Sequence, residues 1–323
     1  MTTDRYARQK VLAEVGDAGQ ERLAAARVLV VGAGGLGSPV LANLAGAGIG
    51  RLAVVDHDRV ETSNLHRQPL FRQVDVGRPK AEAARDALLA YNSEICVDAL
   101  VLKLKAGNAA GLVAAADIVV DAADSLAVTY ILSDACREAG KPLVSAAVLG
   151  LGGYVGTFCG SAPSYRAVFP DMPTQVGSCA ANGVLGPVVA TMGSLQAHMV
   201  LQLVLGLDPS PAGRLVSVDL RRLSFGGFSF LGTPEPDGPA LPFIDLDGLQ
   251  PSDLVVDLRD PQEAPATVTD AARRILPAEI AQAQLPRDRR IVLACPGGIR
   301  AHRAARVLAG RDYQDLAVVA IGS

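Results

Sequence analysis

Continuous apolar runs alternate with helical segments along the first half of the chain. The runs RVLVV, RLAVV and DIVVD lack the alternating polarity of a half-exposed strand, so they are typical of strands buried on both faces of a parallel sheet. The predicted strands are Arg27–Val31, Arg51–Val55, Asp117–Asp121 and Pro142–Ala146, and the predicted helices end near Ala47 or span Arg78–Tyr91 and Leu126–Ala139. This alternation predicts an α/β fold with a doubly wound sheet.

A proline-rich run, TPEPDGPALP, interrupts this pattern at Thr233. Four prolines and a glycine in ten residues predict a semi-rigid linker. The alternation then restarts with predicted strands at Leu254–Asp257, Arg290–Ala294 and Leu316–Ile321 and a helix at Arg300–Ala309. We therefore predict a domain over residues 1–232, a linker over 233–243 and a second, smaller α/β domain over 244–323.

Composition narrows the class of protein. Half of the 323 residues are hydrophobic and 20% are charged, so the chain can bury a large core. A net charge of −3 gives no basis for binding nucleic acid. The polar N-terminus MTTDRYARQK contains no signal segment, and the five cysteines form no CxxC pair, which predicts a cytoplasmic protein with reduced thiols.

One uncharged stretch, Ala180–Leu207, is long enough to cross a bilayer. Polar residues such as Asn182 and Gln196 interrupt it, and no positive cluster flanks it. We predict a buried helix and no membrane association. His57, His66 and His302 have no metal-binding spacing and are predicted to lie at the surface.

A glycine-rich turn, GAGGLG, follows the first strand and opens a helix. Gly32, Gly34, Gly35 and Gly37 allow a tight turn and a close backbone approach to a phosphate, as in Rossmann-like folds. Asp56 closes the second strand, where its carboxylate can accept both ribose hydroxyls. These features alone equally describe an NAD- or FAD-dependent oxidoreductase, and by themselves they favour a dehydrogenase.

Two cations and two amides follow the acidic residue: Asn64, Arg67, Gln68 and Lys80. Cations at this place suit a triphosphate and a departing pyrophosphate, which a nicotinamide enzyme does not have to neutralise. The segment DAADS adds Asp121 and Asp124 at the carboxyl edge of the sheet, where a carboxylate can hold Mg²⁺.

These segments resemble the MoeB/ThiF family of adenylating enzymes, which are related to ubiquitin activators. The matching segments, in the family order over residues 1 to about 230, are RYARQ, GAGGLGS, DHDRVETSNLHRQ, GRPKAEAA, DAADS, SCAANGVLGP and GSLQA. The resemblance implies that ATP adenylates the C-terminal Gly-Gly carboxylate of a small β-grasp, ubiquitin-like sulfur-carrier protein.

The resemblance also implies a role for each residue of the predicted site. Asp56 would bind the ribose, Arg67 and Lys80 the phosphates with Asn64 in support, and Asp124 a Mg²⁺ ion. Gln68 would line the same nucleotide site. Arg8 would reach into the site of a neighbouring subunit, which implies a homodimer.

The chain departs from the family at the structural zinc site that many relatives build from two CxxC pairs. The first pair would fall at Ser164 and Ala167, and the second near PEPDGP, where there is no cysteine. Because neither serine nor alanine replaces a thiolate, we predict no zinc. Cys179, in GSCAANGVLG, occupies the position of a cysteine that forms a covalent adduct in several relatives; it is either reactive or a buried helix-start residue.

The second domain contains CPGGIR, in which Cys295 follows a strand and precedes a helix. Such a loop forms an anion nest that suits a thiolate or a persulfide. Together with LVVDLRDPQE it resembles a rhodanese domain, which implies that Cys295 carries persulfide sulfur and that Arg300 orients the loop. The sulfur donor would be a cysteine desulfurase or thiosulfate.

The complete hypothesis is a two-step enzyme: adenylation, then displacement of AMP by sulfur from Cys295, directly or through Cys179, to give a thiocarboxylate. Several alternatives stay open. One is an adenylating enzyme whose second domain is inactive and serves docking, or which stops at the adenylate or makes an amide or thioester. The others are an NAD- or FAD-dependent oxidoreductase and a non-catalytic scaffold with a decayed second domain. The sequence does not identify the carrier, whose pathway could be molybdopterin, thiamine, tRNA thiolation or a specialised metabolite.

Overall fold

Two β-sheets form the framework of the protein, whose computed structural model describes residues 4–173, 183–237 and 241–322. The strands of the larger sheet are β1 Arg27–Val31, β2 Arg51–Val55, β3 Cys96–Leu100, β4 Ile118–Asp121, β5 Pro142–Leu149, β6 Gly152–Cys159, β7 Arg214–Asp219 and β8 Ser224–Ser229. Their order is β3-β2-β1-β4-β5-β6-β7-β8. The first five are parallel and the last three extend the sheet in antiparallel fashion.

Helices cover both faces of the parallel part of this sheet. The helices of the described chain are α1 Ala7–Lys10, α2 Gly16–Ala25, α3 Gly37–Ala47, α4 Lys80–Tyr91, α5 Ala106–Ala114, α6 Leu126–Glu138, α7 Tyr165–Val168, α8 Gly186–Leu205 and α9 Ile299–Ala309. Val30 of β1 packs in one buried core with α3, α4 and α8, whereas its neighbour Leu29 packs in the other with α5 and α6. Successive strand residues point to opposite faces, so β1 needs apolar residues throughout. The predicted doubly wound fold is confirmed.

The smaller sheet is entirely parallel. Its strands are β9 Leu254–Asp257, β10 Arg273–Arg274, β11 Ile291–Cys295 and β12 Leu316–Ala320, in the order β10-β9-β11-β12. The core formed by α5 and α6 continues into this sheet, because Val256 and Leu293 belong to the same buried cluster. Phe243, at the end of the predicted linker, is buried and pairs with Val318. The domain boundaries stay a prediction.

The long apolar stretch forms α8, which packs in the interior. By length and composition alone α8 could cross a membrane, but half of its most apolar part is buried. Met192 and Val200 lie in the core with α3, and Gln196 donates to the carbonyls of Asp121 and Val144. This packing confirms the predicted buried helix.

A hydrogen-bonded brace joins the two segments where relatives would carry zinc ligands. The backbone N–H and the hydroxyl of Ser164 donate to the two carboxylate oxygens of Glu235 at 2.8 and 2.6 Å. Nearby, Arg166 forms a bidentate pair with Asp134 at 2.6 and 2.8 Å. Ser164 is buried, so these bonds satisfy polar groups that water does not reach. These hydrogen bonds hold the two segments together. The expected absence of zinc stays a prediction.

We expect Glu235→Ala to lower the free energy of unfolding by about 2 kcal/mol, because it leaves two buried donors of Ser164 without an acceptor. Urea denaturation measures the effect. Asp237→Ala, which removes an exposed carboxylate two residues along, is the matched control and should change stability little. Equal stability of the two variants would show that the brace contributes nothing.

His302, predicted to lie at the surface, is buried with 1% of its area exposed. It lies on α9 with its ring 5.7 Å from that of Tyr130, and neither ring nitrogen has a hydrogen-bond partner among the described residues. Burial lowers the pKa of His302 from 6.5 to about 4. The surface prediction was wrong because α9 turns this position toward the core.

This burial predicts a loss of stability in acid. The unfolded chain takes up a proton at His302 near pH 6.5 and the folded chain only near 4, so stability falls as the pH drops between these values. The difference corresponds to about 3 kcal/mol. We expect His302→Leu to gain that much over wild type between pH 7 and pH 4, measured by urea unfolding. Asp121, whose pKa is raised to about 6, acts in the opposite direction in both proteins and cancels in the comparison. A constant difference would contradict the prediction.

Candidate active site

A cavity of about 530 Å³ opens at the carboxyl edge of the larger sheet. Its wall includes the glycine loop after β1, Asp56 after β2 and Asp124 after β4. Between β1 and β4 the connections turn to opposite sides of the sheet, and open α/β sheets bind ligands at such a switch point. The cavity therefore lies where this fold places a substrate.

The glycine loop needs glycine for two different reasons. Gly32 has a φ of +96°, and a side chain there would meet the carbonyl oxygen of Ala122 at 2.6 Å. At Gly37, the start of α3, a Cβ atom would lie 2.0 Å from the Gly32 oxygen. Gly32, Gly34 and Gly35 line the cavity, whereas Gly37 does not. Three of the predicted glycines thus face the ligand space, and the fourth permits the turn.

Asp56 is held rigidly at the cavity wall. One of its carboxylate oxygens accepts from the Ala33 N–H and the other from the Asp58 N–H, both at 2.8 Å. Burial raises the pKa of Asp56 above its usual value of 3.8. Each oxygen has a lone pair left over, so the carboxylate can accept further bonds from a diol.

The two predicted cations, Lys80 and Arg67, differ in whether a carboxylate pairs with them. Lys80 is buried and donates to Asp58 at 2.9 Å. Burial alone would raise the pKa of Asp58, but the bond from Lys80 lowers it below 3.8. Arg67 is half-buried and donates to the Ser63 carbonyl at 3.1 Å and to the His66 ring nitrogen at 2.8 Å; no described carboxylate pairs with it. The guanidinium of Arg67 is therefore uncompensated, and so is that of Arg59, which also lines the cavity and donates to the Gly77 carbonyl at 2.6 Å.

The two predicted amides are both buried beside these cations. Asn64 donates to the Ser63 hydroxyl at 3.3 Å. The side-chain oxygen of Gln68 is buried and has no hydrogen-bond partner among the described residues. An acceptor left in this state on a cavity wall fits a ligand that brings a donor.

The two acidic residues at the carboxyl end of β4, the strand residue Asp121 and Asp124 beyond it, are not equivalent. Asp121 is fully buried and accepts from the hydroxyls of Thr129 and Ser145 at 2.7 and 2.8 Å. Asp124 is exposed on the cavity wall. Asp56, His57 and Asp58 form the sole three-residue group found with metal-ligand spacing in the described chain, but Lys80 already neutralises Asp58. Asp124 is therefore the carboxylate best able to hold a cation together with a phosphate.

Comparison with models of protein families matches residues 6–239 to the ThiF family. This match spans more than half of the chain. The chain belongs to the ThiF family. The family predicted from the sequence motifs is confirmed.

Relatives of this ThiF family protein cover both parts of the chain. It is 45% identical over 230 residues to the sulfur carrier protein adenylyltransferase of Thermus thermophilus, a match over 69% of this chain and 85% of the relative. It is 33% identical to the probable adenylyltransferase/sulfurtransferase MoeZ of Mycobacterium tuberculosis, over 96% of this chain and 89% of MoeZ. These names confirm the predicted enzyme class, an adenylyltransferase.

Among solved structures, Escherichia coli MccB with ATP is similar to the ThiF family protein with a TM-score of 0.62 and 24% identity. The similarity covers 71% of this chain and 72% of MccB. It confirms the predicted fold.

Two predicted site residues are not among the described residues that line this cavity. Arg8 is exposed on α1 and does not line the cavity of its own chain. Its predicted place in a neighbouring subunit stays a prediction. Cys179 falls within 174–182, outside the described residues, so its predicted adduct stays a prediction as well.

Cys295 ends β11 in the ThiF family protein and is 1% exposed. Its sulfur accepts from the Ala301 N–H at 3.3 Å. Burial raises the pKa of the Cys295 thiol, and the surrounding amides and Arg300 only partly offset this. Arg300 forms a bidentate pair with Glu263 at 2.7 and 2.6 Å. The amide nest that was predicted is present, but the sulfur within it is covered.

The Cys295 loop is nevertheless connected to the nucleotide cavity. Gly322, two residues beyond β12, lines that cavity and donates from its N–H to the carbonyl of Pro296 at 2.8 Å. The residue after Cys295 is therefore hydrogen-bonded to a residue of the cavity wall. The sequence did not indicate this proximity, because it depends on how the two sheets pack.

Four hydroxyl residues on the cavity wall were not predicted from the sequence: Thr129, Ser145, Tyr154 and Tyr165. Ser145 was detectable, since it is the one polar residue in the apolar run PLVSAAVL. Tyr154 and Tyr165 belong to β6 and α7, which follow the part of the chain whose pattern was recognisable.

Proposed function

We propose that this enzyme uses ATP and Mg²⁺ to adenylate the C-terminal Gly-Gly carboxylate of a small ubiquitin-like sulfur-carrier protein. The observation that carries the proposal is the uncompensated Arg67 in the same cavity as Asp56 and Asp124. The departing pyrophosphate of an adenylation step gives a reason for a free guanidinium there. The names of the relatives support adenylation of a sulfur carrier.

The cavity supplies a place for each part of the nucleotide. Asp56 accepts from the ribose hydroxyls, and the glycine loop and Arg67 approach the phosphates. Lys80 moves from Asp58 to a phosphate or is shared between them. Asp124 is the residue that would hold Mg²⁺, which would neutralise charge on the phosphates.

Adenylation then requires position and charge, not a protein nucleophile. The carrier carboxylate attacks the α-phosphorus of ATP, and pyrophosphate leaves as the acyl-adenylate forms. The cations lower the barrier by stabilising charge that grows on the leaving group. No proton has to be removed, because the attacking carboxylate is ionised at neutral pH.

For the second step we propose sulfur transfer from Cys295. A donor such as a cysteine desulfurase or thiosulfate charges the thiol to a persulfide. The terminal sulfur attacks the acyl carbonyl, AMP leaves, and the carrier is joined to Cys295 as an acyl disulfide. A thiol, from Cys179 or from solution, then breaks the S–S bond and releases the carrier thiocarboxylate. The Gly322–Pro296 contact supports sulfur transfer into the cavity, because it joins the Cys295 loop to the cavity wall.

One observation favours the alternative in which the second domain only docks partners. The Cys295 sulfur is buried with a raised pKa, which disfavours the thiolate.

The proposed boundaries are 1–232 for adenylation, 233–243 for the linker and 244–323 for the rhodanese-like domain. A cytoplasmic homodimer, with Arg8 completing the partner's site, belongs to the same proposal.

Carrier-dependent exchange of labelled pyrophosphate into ATP tests the first step. We expect exchange only when a Gly-Gly-tailed carrier is present, and calorimetric binding of ATP with Mg²⁺ but not of NAD. Carriers that end in Gly-Ala at the same concentration serve as controls. Binding of NAD, with no exchange for any candidate carrier, would overturn the proposal.

A further inference from the structure

The nucleotide cavity has two ends, which the strand order separates. Asp56 follows β2 on one side of the glycine loop, and β5 lies on the other side, beyond β4. With the ribose at Asp56 and the phosphates at the loop, the β5 end is left for the group that attacks the α-phosphorus. Besides Ser125, the cavity wall carries four hydroxyl side chains, here called the hydroxyl wall: Thr129, Ser145, Tyr154 and Tyr165.

Ser145 and Thr129 can only accept hydrogen bonds from a ligand. The Ser145 hydroxyl donates its one proton to Asp121 at 2.8 Å, and the Thr129 hydroxyl donates to the same oxygen at 2.7 Å. Thr129 also lies 3.4 Å from the Ser125 carbonyl, a longer contact than the one to Asp121. Asp121 is fully buried and, when ionised, has no proton to give back. The lone pairs of both hydroxyls are thus left for a donor.

The two tyrosines of the hydroxyl wall supply a hydrogen-bond donor, whereas Ser145 and Thr129 supply acceptors. The oxygens of Tyr154 and Tyr165 lie 2.6 Å apart, so one proton is used between them. The other hydroxyl proton is left to donate. The wall therefore offers acceptors at Ser145 and Thr129 and a donor at the tyrosine pair. A peptide unit, with one N–H and one C=O, matches this set.

We propose that the hydroxyl wall binds the last peptide unit of the carrier tail, with Ser145 accepting its N–H and the tyrosine pair donating to its carbonyl. Asp121 is a positioning residue, since it fixes the direction of the Ser145 hydroxyl without touching the substrate. This inference rests on the proposed adenylation and adds how the tail is recognised. It makes the enzyme selective for a backbone, which a tail of glycines displays without side chains.

The test removes the two partners of one hydrogen bond separately and together. The carrier that supports exchange is prepared by ligation with either the native amide or an ester between its last two residues, because the ester lacks the N–H. With wild-type enzyme we expect the ester to raise the KM for the carrier about 10-fold. Ser145→Ala should raise it about 10-fold for the amide carrier and no further for the ester.

The KM for ATP should stay within about 2-fold in each case, since Ser145 lies at the other end of the cavity. Thr157→Val, which changes a buried hydroxyl on β6 that does not line the cavity, is the matched control and should behave as wild type. Asp121→Asn should reproduce the Ser145→Ala result, because its amide can donate to Ser145 and turn that hydroxyl proton toward the ligand. Tyr154→Phe gives an independent variant with an intact Ser145.

Independent effects of the ester and Ser145→Ala, multiplying to about 100-fold, would overturn the inference, and so would no effect of either. Loss of ATP affinity in step with carrier affinity would also overturn it. Absence of any exchange with the native carrier and wild-type enzyme would instead refute the proposed function. The two failures are therefore distinguishable.

Discussion

Asp124→Asn is expected to lower carrier-dependent pyrophosphate exchange by about 1000-fold, the range seen when a single electrostatic group of a reaction centre is removed. The asparagine keeps the size of the side chain but not the charge that would hold Mg²⁺. Asp124 is exposed on the cavity wall, so folding should be unaffected. Exchange is measured over a range of Mg²⁺ concentrations, and the variant should need more Mg²⁺ to reach half of its own maximum.

Asp270→Asn is the control for this experiment, because Asp270 is an exposed carboxylate of the smaller domain that does not line the cavity. It should retain wild-type exchange. Urea unfolding of both variants should match wild type within about 0.5 kcal/mol. Exchange by Asp124→Asn at a tenth or more of the wild-type rate would assign the metal to another group, and the cluster of Asp56, His57 and Asp58 on the same cavity wall is then the next candidate.

The parallel half of the larger sheet was predictable because its strands are buried on both faces. Strands β1, β2 and β4 are continuous apolar runs, and their observed bounds agree with the predicted ones within a residue. Strand β3 was missed because it lies at the edge, where CVDAL is half-exposed and includes a charge. Strands β6 and β8 were missed because GGYVGTFC and SFGGFS are rich in glycine, which weakens any strand pattern.

The candidate site was predictable where it is local in sequence. The glycine loop and Asp56 sit at strand ends, so a motif and a strand fix their place together. The hydroxyl wall was not predictable, because α6, β5, β6 and α7 contribute one residue each and only the fold brings them together. His302 was misplaced for a related reason: the face of α9 that is buried depends on its packing against Tyr130 of α6, which is distant in sequence.

Cys295→Ala is expected to abolish formation of the carrier thiocarboxylate while leaving pyrophosphate exchange within about 2-fold of wild type. The thiol is the one group of the smaller domain that can carry sulfur in the proposed second step, whereas nothing in the first step contacts it. Intact mass of the carrier, after incubation with ATP, Mg²⁺ and a sulfur donor, reports the oxygen-to-sulfur exchange directly. Both activities are measured on the same preparation, so a folding defect would appear in the exchange assay.

Cys136→Ala is the matched control, because Cys136 is also fully buried but lies on α6 in the other part of the chain. Burial raises the pKa of its thiol as well, so the two variants remove similarly buried sulfurs. Cys136→Ala should keep both activities. If Cys295→Ala kept the mass gain, sulfur would reach the adenylate without this residue. The buried loop would then serve docking, in line with its covered sulfur and raised pKa.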